Sequence, residues 1–253
     1  MLGAMTETTH SAATEDGEAD ARLFVPEGEG PFPLVVFYVD AGGLRPAMSE
    51  MGERLARAGY AVVQPNLYWR SGPYEPFDSR TVFSDPPERA RLMALMHAVR
   101  PDAVIADTQA LVASLERDPR IDAARLGLVG YCMGGRLAFI AATAWPERVA
   151  AIASIHGGGL VGEGEDSPHR AAARLRAAVY LGVADHDASC SPAHQGELAK
   201  ALGEAGVRYQ LELYAGARHG FAAPDFPVYD EAASERHWER VLTLFREHLE
   251  QRS

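Results

Sequence analysis

Residues Gly127-Leu128-Val129-Gly130-Tyr131-Cys132-Met133-Gly134-Gly135 run an apolar segment into a glycine-framed turn, and Arg136–Ala144 continues with helical spacing. A strand, a very tight turn and a helix in that order place Cys132 where a nucleophile stands in the Gly-x-nucleophile-x-Gly elbow. The glycines have a steric reason. Such a turn holds its central residue in a strained backbone conformation, and side chains two residues to either side collide, so Gly130 and Gly134 are what the geometry requires. The start of a helix concentrates partial positive charge, which favours a thiolate at Cys132. The backbone N–H of Met133 then points to where an oxyanion forms. Taken alone, the pentapeptide also fits a buried turn around an inert cysteine; the strand before it and the helix after it favour the nucleophile.

A cysteine nucleophile needs a base and a group that orients the base. In sheets of this kind the chain order is nucleophile, acid, histidine, each on a loop after a strand. Gly182-Val183-Ala184-Asp185 follows the apolar run Ala178–Val183, and Gly216-Ala217-Arg218-His219-Gly220-Phe221 follows Tyr209–Tyr214. His219 is therefore the expected base. Asp185 is favoured as the acid on its Gly-x-x-Asp position, with Asp187 as the alternative. His186, Asp187 and His194 sketch a metal site, but a loop dense in His and Asp is more often solvated, and no metal is expected. His156, before Gly157-Gly158-Gly159, is a candidate pocket residue, as are Tyr131 and Phe221; His237 and His248 are expected on the surface of the last helix. Cys190, among Ser189, Ser191 and Pro192, has no activating context.

Around the elbow, short apolar runs alternate with helix-period segments. Leu34–Val39, Ala61–Val63, Leu126–Val129, Val149–Ile155, Ala178–Val183 and Tyr209–Tyr214 are strand candidates, most of them apolar on consecutive residues, as strands covered on both faces are. Met48, Met51, Leu55 and Ala58 form one helical stripe, Val104 to Leu115 a second, and Trp238, Val241, Leu242, Phe245 and Leu249 a third. Pro192–Ala205 is a weaker helix. The alternation predicts one α/β domain over 21–253, a doubly wound, mostly parallel sheet with helices on both faces. Residues 1–20 read as a flexible lead-in with a strand pairing near its end. The stretch 66–100, rich in proline, with a helix over Glu88–Ala98, is a candidate covering segment. Phe37, Tyr38, Trp69, Tyr74, Phe77, Phe83 and Phe221 are aromatic candidates for a moderately apolar pocket, although aromatics beside strands are more often core.

The 253 residues carry 24 Lys+Arg against 35 Asp+Glu, a net charge of −11 that repels phosphate backbones and anionic lipid, so no nucleic-acid or membrane partner is expected. Lys200 is the only lysine. Two cysteines make no disulfide framework, and no apolar run approaches the ~20 residues of a membrane helix. Met1–Asp20 lacks a basic segment followed by an apolar one, so the cytoplasm is the expected location, with a monomer or homodimer as the expected state.

The segments Val39-Asp40-Ala41-Gly42-Gly43, Arg54-Leu55-Ala56-x-x-Gly59-Tyr60, Gly130-Tyr131-Cys132-Met133-Gly134-Gly135, Gly182-x-x-Asp185 and His219-Gly220-Phe221 together resemble the dienelactone hydrolase family of the α/β-hydrolase fold, over roughly residues 20–250. The resemblance implies Cys132 as nucleophile, His219 as base, Asp185 as its partner, and an oxyanion hole from the Met133 and Ala41 N–H groups. It also places a carboxylate beside the nucleophile, usually glutamate and here Asp40, one methylene shorter. Family members that open dienelactones hold the substrate carboxylate with arginines and a tyrosine. Arg91 matches one arginine, whereas Leu95 stands at the tyrosine position and Ala223 where the later arginine falls.

The expected activity is hydrolysis of a small ester or lactone through a cysteine thioester, with no cofactor. The alternative is a catalytically weak relative that binds a small molecule or senses thiol oxidation. Glutamine amidotransferases also use a cysteine on such a turn, but they pair it with His-x-Glu, whereas His219 is followed by Gly220-Phe221.

Overall fold

The computed structural model describes residues 3–250. Its centre is an eight-stranded sheet: Met5–Thr14 (β1), Gly17–Pro26 (β2), Phe32–Tyr38 (β3), Ala61–Pro65 (β4), Ile121–Tyr131 (β5), Val149–Ile155 (β6), Ala178–His186 (β7) and Tyr209–Arg218 (β8). The spatial order is β1-β2-β4-β3-β5-β6-β7-β8, antiparallel at β1-β2 and β2-β4 and parallel from β4 onward. All six sequence-derived strands are present, five of them within these bounds and the sixth, Leu34–Val39, ending one residue earlier, at Tyr38. The consecutive apolar residues have the expected cause: every residue from Leu34 to Val39, and from Val149 to Ile155, is buried, because helices cover both faces.

The helices are Pro46–Arg57 (α1), Pro86–Ala98 (α2), Pro101–Leu115 (α3), Met133–Ala144 (α4), Pro192–Glu204 (α5) and Glu231–His248 (α6). α1 and α6 lie on one face of the sheet, joined by Arg54, which pairs with Glu235 at 2.6 Å and stacks over the Trp238 ring at 4.9 Å. α3 and α4 cover the other. α2 rises over the carboxyl ends of the strands, with Leu92 packed against Ala41, Phe77 and Val82.

Residues 3–20 depart from the expected lead-in. β1 pairs with β2 along its full length through a two-residue turn, with Thr14 opposite Gly17, which takes φ +139°. β1 hides from apolar patterning because it is an edge strand, mostly exposed, and built of threonine and small polar residues. The Asp16-Gly17 pair was its legible signal. β5 and β7 also run beyond their apolar stretches, because ladder pairing extends them past the point where side chains stop being buried.

Gly127 shows how the central strand accepts its covering helix. A Cβ there would lie 2.7 Å from Leu249 Cδ1 and 3.0 Å from Phe245 Cε1. Gly127→Val is expected to overpack this contact and lower the unfolding free energy by about 1–3 kcal/mol, read by urea denaturation. A wild-type midpoint would show that the end of α6 yields freely.

Candidate active site

Cys132 sits between β5 and α4 at φ 54°, ψ −118°, a left-handed conformation unfavourable for a residue with a Cβ. The neighbouring glycines are compelled by backbone, not by mobile side chains. A Cβ on Gly130 would stand 2.0 Å from the Gly134 carbonyl oxygen, and one on Gly134 would stand 2.2 Å from that of Tyr38. The turn is pinned to β6 and the loop beyond it: Cys132 N–H donates to the Ile155 carbonyl at 3.1 Å, and Gly158 N–H donates to the Cys132 carbonyl at 3.3 Å. The strained residue thus presents its thiol above the carboxyl ends of the strands, where open α/β sheets place their sites.

His219 meets it there. Its Nε2 is 3.0 Å from Cys132 Sγ, and its Nδ1 is 2.7 Å from Asp187 Oδ2. The acid in contact is therefore Asp187. Asp185, the favoured position in the sequence, is exposed within the extended end of β7, where its carboxylate accepts the Gly216 N–H at 2.9 Å. The reason is ladder length. β7 continues through His186, pairing with Arg218 of β8, so the chain leaves the sheet only at Asp187. Ser189 fixes that carboxylate, donating to Asp187 Oδ1 from its N–H at 2.8 Å and its hydroxyl at 2.6 Å.

The charges are mutually supporting. Burial opposes protonation of His219, but Asp187 on one ring nitrogen and Cys132 on the other outweigh it, and hold its pKa up to about 10. Burial raises the Asp187 carboxyl, yet His219 and Ser189 together hold it below its ordinary value. Beneath His219, His156 packs edge-on at 5.1 Å; it is fully buried at φ 38°, with no hydrogen-bond partner for either ring nitrogen among the described residues. Burial drives its pKa well below the ordinary histidine value, so it stays neutral.

A cavity of about 650 Å³ opens over Cys132 and His219. Its walls include Ala41 and Met133, and Ser79, Arg80, Phe83, Ser84, Met93 and Met96 from the 66–100 stretch, with Phe226, Pro227 and Val228 opposite. Among the described residues, neither the Ala41 nor the Met133 N–H donates to another protein group. Asp40 also borders the cavity, but its carboxylate is taken by Arg45, at 2.6 and 2.9 Å, rather than by Cys132.

Four expectations about binding residues are corrected. Arg91 does not face this cavity: it donates to the Glu75 carbonyl, pairs with Glu88 and lies over Phe77, in a separate depression with Tyr74 and Leu95. Tyr131, His156 and Phe221 are fully buried below the site as a layer of rings, outside the cavity wall. His237 is not a surface residue either; it is fully buried, 3.1 Å from the Tyr131 hydroxyl, and burial pushes its pKa down to about 3. Of the proposed aromatic lining, Phe83 reaches the cavity.

Sequence reasoning missed Ser189, Arg45, Phe226 and Arg136. Arg136 follows the elbow by one helical turn and lines the cavity; its Nε is buried and, among the described residues, without a hydrogen-bond partner. Its signal was a cation four residues after the nucleophile, on the helix whose first turn borders the site.

Comparison with known proteins agrees with this architecture. A Methylorubrum extorquens protein named "Putative carboxymethylenebutenolidase" is 29% identical over 239 residues, 92% of this chain and 78% of the relative. The "Carboxymethylenebutenolidase" of Pseudomonas sp. strain P51 is 33% identical over 135 residues, 53% of this chain and 54% of the relative. The solved structure titled "Putative Dienelactone Hydrolase" from Klebsiella pneumoniae superposes with a TM-score of 0.84 at 25% identity, covering 97% of this chain and all of that one. The family model described as the dienelactone hydrolase family matches residues 19–249; with its α/β-hydrolase fold, the chain belongs to that family.

Proposed function

We propose that this protein hydrolyses a small ester or lactone through a thioester on Cys132. The observation that carries the reading is the unbroken line from Asp187 through His219 to the sulfur of a cysteine held in a left-handed turn. Asp187 accepts the Nδ1–H and orients the ring, so Nε2 takes the thiol proton. The thiolate adds to the substrate carbonyl, and the Met133 and Ala41 N–H groups receive the oxyanion. The tetrahedral adduct collapses, the alkoxide leaves with the proton from His219 Nε2, and a thioester remains. Neutral His219 then removes a proton from water, hydroxide adds to the thioester, and collapse releases the carboxylic acid and the thiolate. Because thiolates leave more readily than alkoxides, the first step favours activated esters such as enol and aryl esters.

The cavity limits the substrate further. Phe83, Met93, Met96, Phe226 and Val228 suit an apolar body, and the unpaired Arg136 suits an anionic substituent. Arg136 stands where the resemblance led us to expect Arg91, and approaches from the nucleophile's own helix instead of the covering one.

Four outcomes are expected. With a short aryl ester, Cys132→Ala abolishes turnover, and intact mass shows an acyl adduct on the wild type alone; equal rates without an adduct would turn the assignment to the binding-protein alternative. Asp187→Asn is expected to lower kcat/KM by about 100-fold or more, whereas Asp185→Asn stays within about twofold, since only the former touches the base. The wild-type kcat/KM holds level across neutral pH and declines as His219 loses its proton near pH 10, and Asp187→Asn moves that decline to lower pH; a break near the ordinary histidine value in the wild type would contradict the ion-paired site. Finally, Arg136→Gln is expected to raise KM for a carboxylate-bearing aryl ester by about 10-fold while sparing its neutral analogue. Equal losses on both would remove the charge from recognition.

A further inference from the structure

Arg45 joins two carboxylates at the cavity rim, the buried Asp40 and the partly exposed Asp225. Its Nη1 and Nη2 hold Asp40 at 2.6 and 2.9 Å, while Nε and Nη2 hold Asp225 at 2.7 and 3.0 Å. Arg45 is 8% exposed and Asp40 is 1% exposed. These partners come from different walls. Asp40 belongs to the β3–α1 loop and folds that loop by accepting the Gly42 N–H at 2.8 Å, with the Tyr68 hydroxyl donating to the Ala41 carbonyl at 2.6 Å. Asp225 belongs to the loop that follows His219 and carries Phe226, whose ring lies 5.1 Å from the Arg45 guanidinium carbon. The Asp225 carbonyl in turn accepts the Ser79 hydroxyl at 2.9 Å, bringing in the covering stretch.

We infer that Arg45 is a positioning residue with two separable effects: through Asp40 it cancels a buried negative charge beside the oxyanion donor Ala41, and through Asp225 it sets the wall that holds the substrate. The inference rests on the reading of Cys132 and its oxyanion site given above. A carboxylate next to Ala41 N–H opposes negative charge developing on the substrate oxygen, and little water is available to screen it. Paired with a guanidinium in fork geometry, the same carboxylate becomes a rigid acceptor that shapes the loop. Breaking such a pair leaves an uncompensated buried charge, whereas removing both charges does not. Asp225 reaches the oxyanion loop only through the Arg45 guanidinium, which keeps its pair with Asp40 when Asp225 is lost, so that loss affects binding, not the chemical step.

The test is steady-state kinetics on a neutral aryl ester, with Cys132 alkylation by iodoacetamide measured in parallel because alkylation uses no oxyanion hole. Arg45→Met is expected to lower kcat by about 100-fold and, because it also frees Asp225, to raise KM by about fivefold, with a near wild-type alkylation rate. Adding Asp40→Asn to that variant recovers at least about 10-fold of the loss, since the unpaired carboxylate is gone. Asp225→Asn raises KM by about fivefold and leaves kcat within about twofold. If Arg45→Met does not fold, Arg45→Lys and Asp225→Asn carry the same comparison: the lysine keeps a charge near Asp40 and loses the fork, so kcat falls less than 10-fold while KM rises. Wild-type kinetics in the Arg45 variant, a double variant no faster than the single one, or parallel losses of turnover and alkylation would overturn the inference. Ester turnover that survives Cys132→Ala would instead overturn the nucleophile reading on which it rests.

Discussion

The site depends on a backbone that a side chain at Gly130 or Gly134 would forbid. Strand β5 has to turn into α4 within a few residues, directly beneath the end of β3, and the carbonyls of Tyr38 and Gly134 already fill the space that Cβ atoms would take. Cys132 carries the cost of that turn in its φ of 54°. A single non-glycine residue in such a conformation costs of order 1–3 kcal/mol, and persists only where the surroundings over-determine it. Here they do: β3 and β6 flank β5 on either side, and the cysteine's own backbone N–H and carbonyl are both bonded beyond the turn.

Everything else that bears on the chemistry is arranged around that fixed sulfur. Asp187 and His219 lie just past the ends of β7 and β8, adjacent strands in parallel register, and so meet without a long loop. The resulting line of charge is internally balanced, thiol and carboxylate both favouring the proton on His219. At the rim, the Asp40–Arg45–Asp225 triad balances a second buried charge within a few residues of the first. Below, Tyr131, His156, Phe221 and His237 pack as a layer of rings beneath His219. Histidines in that layer remain neutral, which spares the site a second buried cation next to His219.

Much of this was legible before any coordinates. The elbow glycines, the six apolar runs and the three amphipathic stripes are local patterns, each with a local cause, and they specify the sheet and its helices. The pair Cys132 and His219 followed from their places at strand ends. What escaped was whatever depended on partners distant in sequence. The β1 strand is polar because it lies at an edge, and its pairing shows only in its register with β2. Asp187, rather than Asp185, meets His219 because cross-strand pairing with β8 carried β7 three residues further than its apolar run. Arg91 and Arg136 are both single arginines on helices near the site, and only the packing of α2 decides that the first turns toward Glu75 and Phe77 while the second is left facing the cavity.

By itself, then, the sequence determined the fold class, the tight turn that holds Cys132 and the strand end that carries His219, because steric demands on a tight turn and periodic burial act over a few residues. The tertiary structure decided which carboxylate contacts His219, which arginine faces the cavity, and that Arg45 joins Asp40 to Asp225 across 180 residues of chain. Those are choices among chemically equivalent side chains, and the energy that separates them comes from desolvation and charge pairing in three dimensions, which no local pattern encodes.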